Sequence, residues 1–171
     1  MSRMLFRFLA HIRFLLNSTN HHGVHSPFIF KYVTKGLYSN PNFKTTKSFN
    51  IILKTLLFFN IKRAQLITEN KAIKELILKH NKNISIVGDS GEFMYWEHSS
   101  AALIKHQIED NKYLNSRSIL FIDNIHNSKE SEILWETVKN LEIVTVTIDL
   151  FYGGIVFFRK EQAKEHFKIR F

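Results

Sequence analysis

Three short stretches hold side chains from which chemistry can be built: Thr68-Glu69-Asn70, Gly88-Asp89-Ser90-Gly91 and Asp123-Asn124-Ile125-His126. Each follows a short apolar run, at 64–68, 84–88 and 119–123, that reads as a strand. In an open parallel sheet, ligands gather beyond the carboxyl ends of the strands, so these are the positions to read first. If 84–88 and 119–123 are neighbouring strands, Asp89, Asp123 and Asn124 converge as three oxygen ligands. Oxygen-only ligation with vacant positions suits magnesium, manganese or a similar hard divalent ion. The competing role is structural, because Asp and Asn at strand ends also cap the helices that follow, and their capping preference favours it. A nucleotide-type cofactor at the first turn needs glycines, so that backbone amides can approach it closely. Residues 64–78 contain none.

The same residues allow a hydrolase reading. Gly88-Asp89-Ser90 after a strand, with Asp123 and His126 spaced as D-x-x-H, resembles the lipase and esterase group named for its G-D-S-L motif. That resemblance implies Ser90 as nucleophile, His126 as its base and Asp123 as the group that orients the base. The short interval between Ser90 and Asp123 leaves no room for the strands that carry the group's oxyanion donors, which weakens the match. A third constellation, His21, His22 and His25, lies in a loop marked by Gly23 and Pro27. Metal ligation there lacks any carboxylate in the first 68 residues, and loop histidines commonly serve as hydrogen-bonded structural groups.

The elements that must position these residues alternate. Ser2 caps a predicted helix through residue 16, with Arg3, Arg7, His11 and Asn17 on one side and Leu5, Phe8, Leu9, Ile12, Leu15 and Leu16 on the other. Amphipathic helices commonly bury the apolar side against their own domain; the alternative is a membrane surface. Helices are predicted at 27–38, 48–59, 71–80, 99–113 and from a Ser128 cap to 140, with strands at 64–68, 84–88, 119–123, 144–150 and 155–159. Alternation of this kind predicts an α/β fold with a mostly parallel sheet covered on both faces. The last two strands, joined by four residues, must run antiparallel. The length suits a single domain over 1–171, with a basic helical extension at 1–47 and an α/β core at 48–171.

Charge is uneven. Residues 1–68 hold ten Lys or Arg and no Asp or Glu, whereas 69–171 carry 14 basic and 15 acidic side chains. A one-sign block attracts RNA, an anionic membrane surface or an acidic partner, and self-association is a further option. With no cysteine, disulfides, thiolate metal sites and a Cys nucleophile are excluded. No apolar run reaches the roughly 20 residues of a membrane span, and no signal peptide is evident, so the expectation is a cytoplasmic protein.

Two stretches carry a more specific likeness. One is His22-Gly23-Val24-His25-Ser26-Pro27-Phe28-Ile29-Phe30 with Val33-Thr34-Lys35; the other runs from Ser118 through Asp123-Asn124-Ile125-His126, Trp135-Glu136, Val144 to Phe151, and Gly154 to Phe167. Together they resemble a bacterial family of small class I S-adenosylmethionine-dependent methyltransferases of the O-methyltransferase type. The resemblance implies a Rossmann-like sheet shortened to about five strands: 64–68 as the family's first, 84–88 its fourth, 119–123 its fifth and the last two its sixth and seventh. It implies S-adenosylmethionine as cofactor and a metal held near Asp89, Asp123 and Asn124. Thr68, Glu69 and Asn70 stand where the family places a glycine-rich loop, and the strand bearing the ribose-binding carboxylate is missing by this count. The reading is therefore a degenerate, non-catalytic or weakly active relative, with an active metal-assisted O-methyltransferase, the hydrolase and a basic binding module as alternatives.

Overall fold

A computed structural model describes residues 2–97 and 101–171. Short polar side chains start most helices by accepting from a first-turn amide. Ser2 caps α1 (Arg3–Asn17), Ser26 caps α2 (Pro27–Tyr32) with Pro27 at its first position, Thr46 caps α3 (Lys47–Phe58) and Asn70 caps α4 (Lys71–His80). Helix α5 spans Ala101–Glu109; the predicted start of this helix at Ser99 lies outside the described residues. Ser128 caps α6 (Lys129–Asn140), with Glu130 and Glu132 at its positive end. Helix α2 runs on through a π turn at Val33–Leu37. Lys54 anchors that turn: its ammonium is buried and donates to the Leu37 and Ser39 carbonyls at 2.6 and 2.7 Å.

The strands are β1 (Arg63–Ile67), β2 (Ser85–Val87), β3 (Phe93–Trp96), β4 (Ile119–Asp123), β5 (Val146–Asp149), β6 (Gly153–Phe157) and β7 (Glu165–Lys168). They form one sheet in the order β2-β1-β3-β4-β6-β5-β7. Only β6 runs against its neighbours, pairing antiparallel with β4 and β5; the other pairs are parallel. The mixed α/β, mostly parallel fold with β5 and β6 antiparallel is as the sequence predicts. On one face α2, α3 and α4 bury Tyr32, Leu56 and Ile73 against Tyr95, Phe121 and Phe157; on the other α5 and α6 bury Ile104 and Trp135 against Trp96, Ile122 and Val156. The 27–37 region thus shares the core of the sheet.

Several expectations are corrected. The sheet has seven strands, not about five. The run Phe93-Met94-Tyr95-Trp96 is a fully buried strand that shows no polar alternation, and β7 is a half-exposed strand at the edge beside β5. The 84–88 strand is not beside 119–123, because β1 and β3 lie between them. The apolar side of α1 faces outward: Ala10 and Phe14 are buried, whereas Leu5, Phe8, Leu9, Ile12, Leu15 and Leu16 are exposed.

The connection from β2 to β3 fixes this layout. Both strands are parallel to β1 and flank it, yet only residues 88–92 join them. Parallel neighbours are ordinarily joined by a dozen residues or more, usually including a helix. Here β2 stops at Val87, level with Gln65, and the chain crosses directly over β1. Gln65 Nε2 donates to the Gly88 carbonyl at 2.9 Å, and Arg63 donates to Ser90 Oγ. Gly91 lies so close that a Cβ there would come 2.7 Å from the Gln65 backbone nitrogen and 2.9 Å from the Phe93 oxygen, whereas a Cβ on Gly88 would meet nothing within 4 Å. Gly91→Ala should therefore cost about 1–3 kcal/mol, as overpacking does. Gly88→Ala should stay within about 0.5 kcal/mol of wild type in urea unfolding. Equal effects at the two positions would contradict the direct crossover.

Candidate functional site

Strands β1, β3, β4 and β5 end at a common edge, and the order reverses at β1, with β2 on one side and β3 on the other. A crevice for ligands is therefore sought above β1 and β3. There the Thr68 hydroxyl hydrogen-bonds the Glu97 carboxylate and also accepts from the Asn70 amide at 2.9 Å. Asn70 Oδ1 in turn accepts from the Ala72 amide at 3.0 Å. An anion site at a helix start needs such amides free; here side chains of the chain itself take them. Glu69 is exposed beside this turn.

One strand further, Asp123 ends β4 in a closed polar cluster. Its Oδ1 accepts from Ser48 Oγ at 2.6 Å, and its Oδ2 accepts from the Tyr95 hydroxyl at 3.1 Å and Asn124 Nδ2 at 2.8 Å. Asn124 sits at φ 54°, the left-handed region that Asn tolerates better than most residues. Burial raises the Asp123 pKa; the Ser48 and Tyr95 hydrogen bonds oppose this, and the Glu97 charge adds to it. Burial, together with the charges of Asp123 and Glu97, pushes the Tyr95 phenol upward, so it remains a donor. Tyr95 and Glu97 escaped the sequence reading because β3 did; Ser48 lies in the first turn of α3, where it reads as an ordinary helix-start residue.

Asp89 does not join this cluster. It lies on the crossover over the face of β1, with β1 and β3 between β2 and β4, and accepts from Ser90 Oγ at 3.1 Å. The adjacent-strand geometry proposed for Asp89, Asp123 and Asn124 is thus absent. Among the described residues no group of three or more His, Cys, Asp or Glu side chains is placed to hold a metal ion. The residues of the hydrolase reading are not hydrogen-bonded to one another: Ser90 bonds Arg63 and Asp89, while His126 bonds Glu132 and Asp149. In the histidine loop, His21 packs on His22, Phe30 and Tyr38 through its ring.

His126 instead centres a second cluster. Its Nε2 lies 2.8 Å from Asp149 Oδ2 and its Nδ1 3.1 Å from Glu132 Oε1, so a doubly protonated ring donates to both carboxylates. Burial alone would depress its pKa, but hydrogen bonds and charge from Asp149 and Glu132 outweigh burial and raise it. Asp149 Oδ1 accepts from the Phe151 amide at 2.9 Å, pinning Phe151 at φ 66°, an unusual conformation for a bulky residue. The Phe151 ring stacks on His126 with centroids 5.3 Å apart and meets Phe14 of α1 at 5.6 Å. Asp149 ends a strand, where the rule used for Asp123 would have found it; Glu132, inside α6, offers no such signal.

This cluster makes stability depend on pH. The folded pKa of His126 lies above the unfolded value of about 6.5, so its contribution is complete below that value and is lost as pH rises through the folded one. Wild type minus His126→Gln stability should therefore shrink with rising pH, a difference that cancels the opposite trend from His166, whose pKa burial lowers. Amide exchange in α1 should quicken over the same range in wild type alone. A difference flat in pH would show that the ring is not charged in the folded protein.

No family model matches this chain, and no curated protein matches it. Among solved structures, the chain is similar to one from Staphylococcus aureus assigned as a caffeoyl-CoA O-methyltransferase, at 9% sequence identity and a TM-score of 0.45, covering 91% of this chain and 99% of that one.

Proposed function

We propose that this protein is a methyltransferase-like scaffold whose cofactor edge is disabled, so that it works without transferring a methyl group. The observation that carries this reading is the self-satisfied turn after β1: Thr68 and Asn70 occupy amides of the α4 start, and the Thr68 hydroxyl ties the turn to Glu97 across the switch point. S-adenosylmethionine needs a close glycine turn there and a carboxylate at the end of the second strand for its ribose. Residues 64–78 have no glycine, and the carboxylate nearest the end of β2, Asp89, lies over the sheet face rather than at its edge. The residues present do not fit the cofactor.

The Asp123 cluster supports the same reading. A divalent ion is held by several oxygen ligands, whereas Asp123 already accepts three protein donors and, among the described residues, no group of three or more His, Cys, Asp or Glu is placed to hold a metal. Calorimetric titration of the full chain with S-adenosylmethionine, with and without magnesium, should give no saturable heat, corresponding to a Kd of about 1 mM or weaker. Micromolar binding would overturn the proposal, and metal-dependent micromolar binding would restore an active O-methyltransferase.

A further inference from the structure

Helix α1 sits on the body by the side that looks less suited to burial. Ala10 and Phe14 pack with Phe151, supported by Phe6 and Tyr152. Arg3 Nε donates to Asn127 Oδ1 at 3.1 Å, Arg13 reaches Glu132 at 3.5 Å, and His11 stacks on Phe151 with centroids 4.3 Å apart. His126 and Asn127 follow β4 and Phe151 follows β5, so α1 lies across the carboxyl edge of the sheet. Its opposite side faces solvent with Met4, Leu5, Phe8, Leu9, Ile12, Leu15 and Leu16, of which Phe8 is 61% and Leu16 80% exposed. Scattered exposed apolar residues need no explanation; seven along one face of a 15-residue helix do.

We infer that this face of α1 is a docking surface for an anionic lipid bilayer, entered in the plane of the interface. The occupant is argued from charge. The helix carries Arg3, Arg7 and Arg13 and no carboxylate, within a stretch of 68 residues that has ten Lys or Arg and no acid. Arg13, four residues after Leu9 and three before Leu16, borders the apolar face and is 61% exposed, where a long cationic side chain can reach phosphate while its stem stays apolar. Bulky apolar residues on one side with arginine at the margin, here Arg13, are the composition of helices that lie in the headgroup boundary, while Arg3 and Arg7 sit on the body side against Asn127 and the Phe151 ring. Pairing the face with a second copy would bring two acid-free cationic helices together. RNA would engage the cations and leave the aliphatic face exposed.

The test is sedimentation of the full chain with vesicles of phosphatidylcholine alone and of phosphatidylcholine mixed with phosphatidylglycerol, alongside sedimentation velocity without lipid. The protein should pellet with the anionic vesicles only, and less so as salt rises. The double variant Phe8→Ser/Ile12→Ser changes exposed residues and should keep the wild-type circular dichroism while losing on the order of tenfold in vesicle affinity. Leu78→Ser, an exposed apolar position on α4, should bind as wild type does. Failure to pellet with anionic vesicles at low salt overturns the inference. A lipid-free dimer that the double variant turns into a monomer assigns the face to a second copy, and RNA binding untouched by the double variant, without vesicle binding, assigns the charge to nucleic acid.

Discussion

The direct passage of residues 88–92 over β1 constrains the rest of the molecule. A parallel sheet usually separates two strands that flank a third by a helix, which gives the chain length to return to the starting edge. This chain returns in five residues, by ending β2 early and pressing Gly91 against the backbone of Gln65. No side chain fits between the two backbones. The polar groups exposed by the shortcut are absorbed locally, with Gln65 and Arg63 donating to the crossing segment and the Glu92 carboxylate accepting from the Lys62 and Arg63 amides.

That economy has a chemical consequence. A carboxylate at the end of the second strand helps hold a dinucleotide-type ligand because the strand carries it to the open edge, beside the turn after the first strand. Ending β2 level with Gln65 leaves Asp89 exposed on the segment that crosses β1, away from the Asp123 cluster. In the turn after β1, the Thr68 and Asn70 side chains supply oxygen acceptors for the Asn70 and Ala72 amides at the start of α4.

Sequence patterning reveals most of this architecture and misses it where periodicity carries no information. Helices α3, α4 and α6 are legible from their caps and apolar spacing, and the antiparallel β5–β6 pair from a connection too short for a crossover. Phe93-Met94-Tyr95-Trp96 is buried on both faces, so it lacks the alternation that marks a half-exposed strand, and four residues are too few to distinguish from a loop anchor. Missing it moved 84–88 into the wrong place, and the supposed meeting of Asp89 with Asp123 followed from that single error. The Asp123-Asn124 pair was legible as a strand end; its donors Ser48 and Tyr95 come from positions 75 and 28 residues away, which only the fold relates.

The orientation of α1 follows from competition between its two sides for one small dock. The carboxyl edge at this point presents a strained Phe151, the His126 ring flanked by Asp149 and Glu132, and the Asn127 amide. Such a surface rewards a helix face with small residues, an aromatic ring and guanidinium donors, and it would strand a row of leucines against charge. Ala10 lets the helix approach, Phe14 meets Phe151, and Arg3 and Arg13 answer Asn127 and Glu132. The small apolar patch around Phe151 takes Ala10 and Phe14, the polar groups beside it take Arg3 and Arg13, and no room is left there for the leucine face. The His126 cluster and the exposed apolar helix are therefore coupled through Phe151 and Glu132, which touch both: the Phe151 ring packs on His126 and Phe14, and Glu132 meets His126 and Arg13.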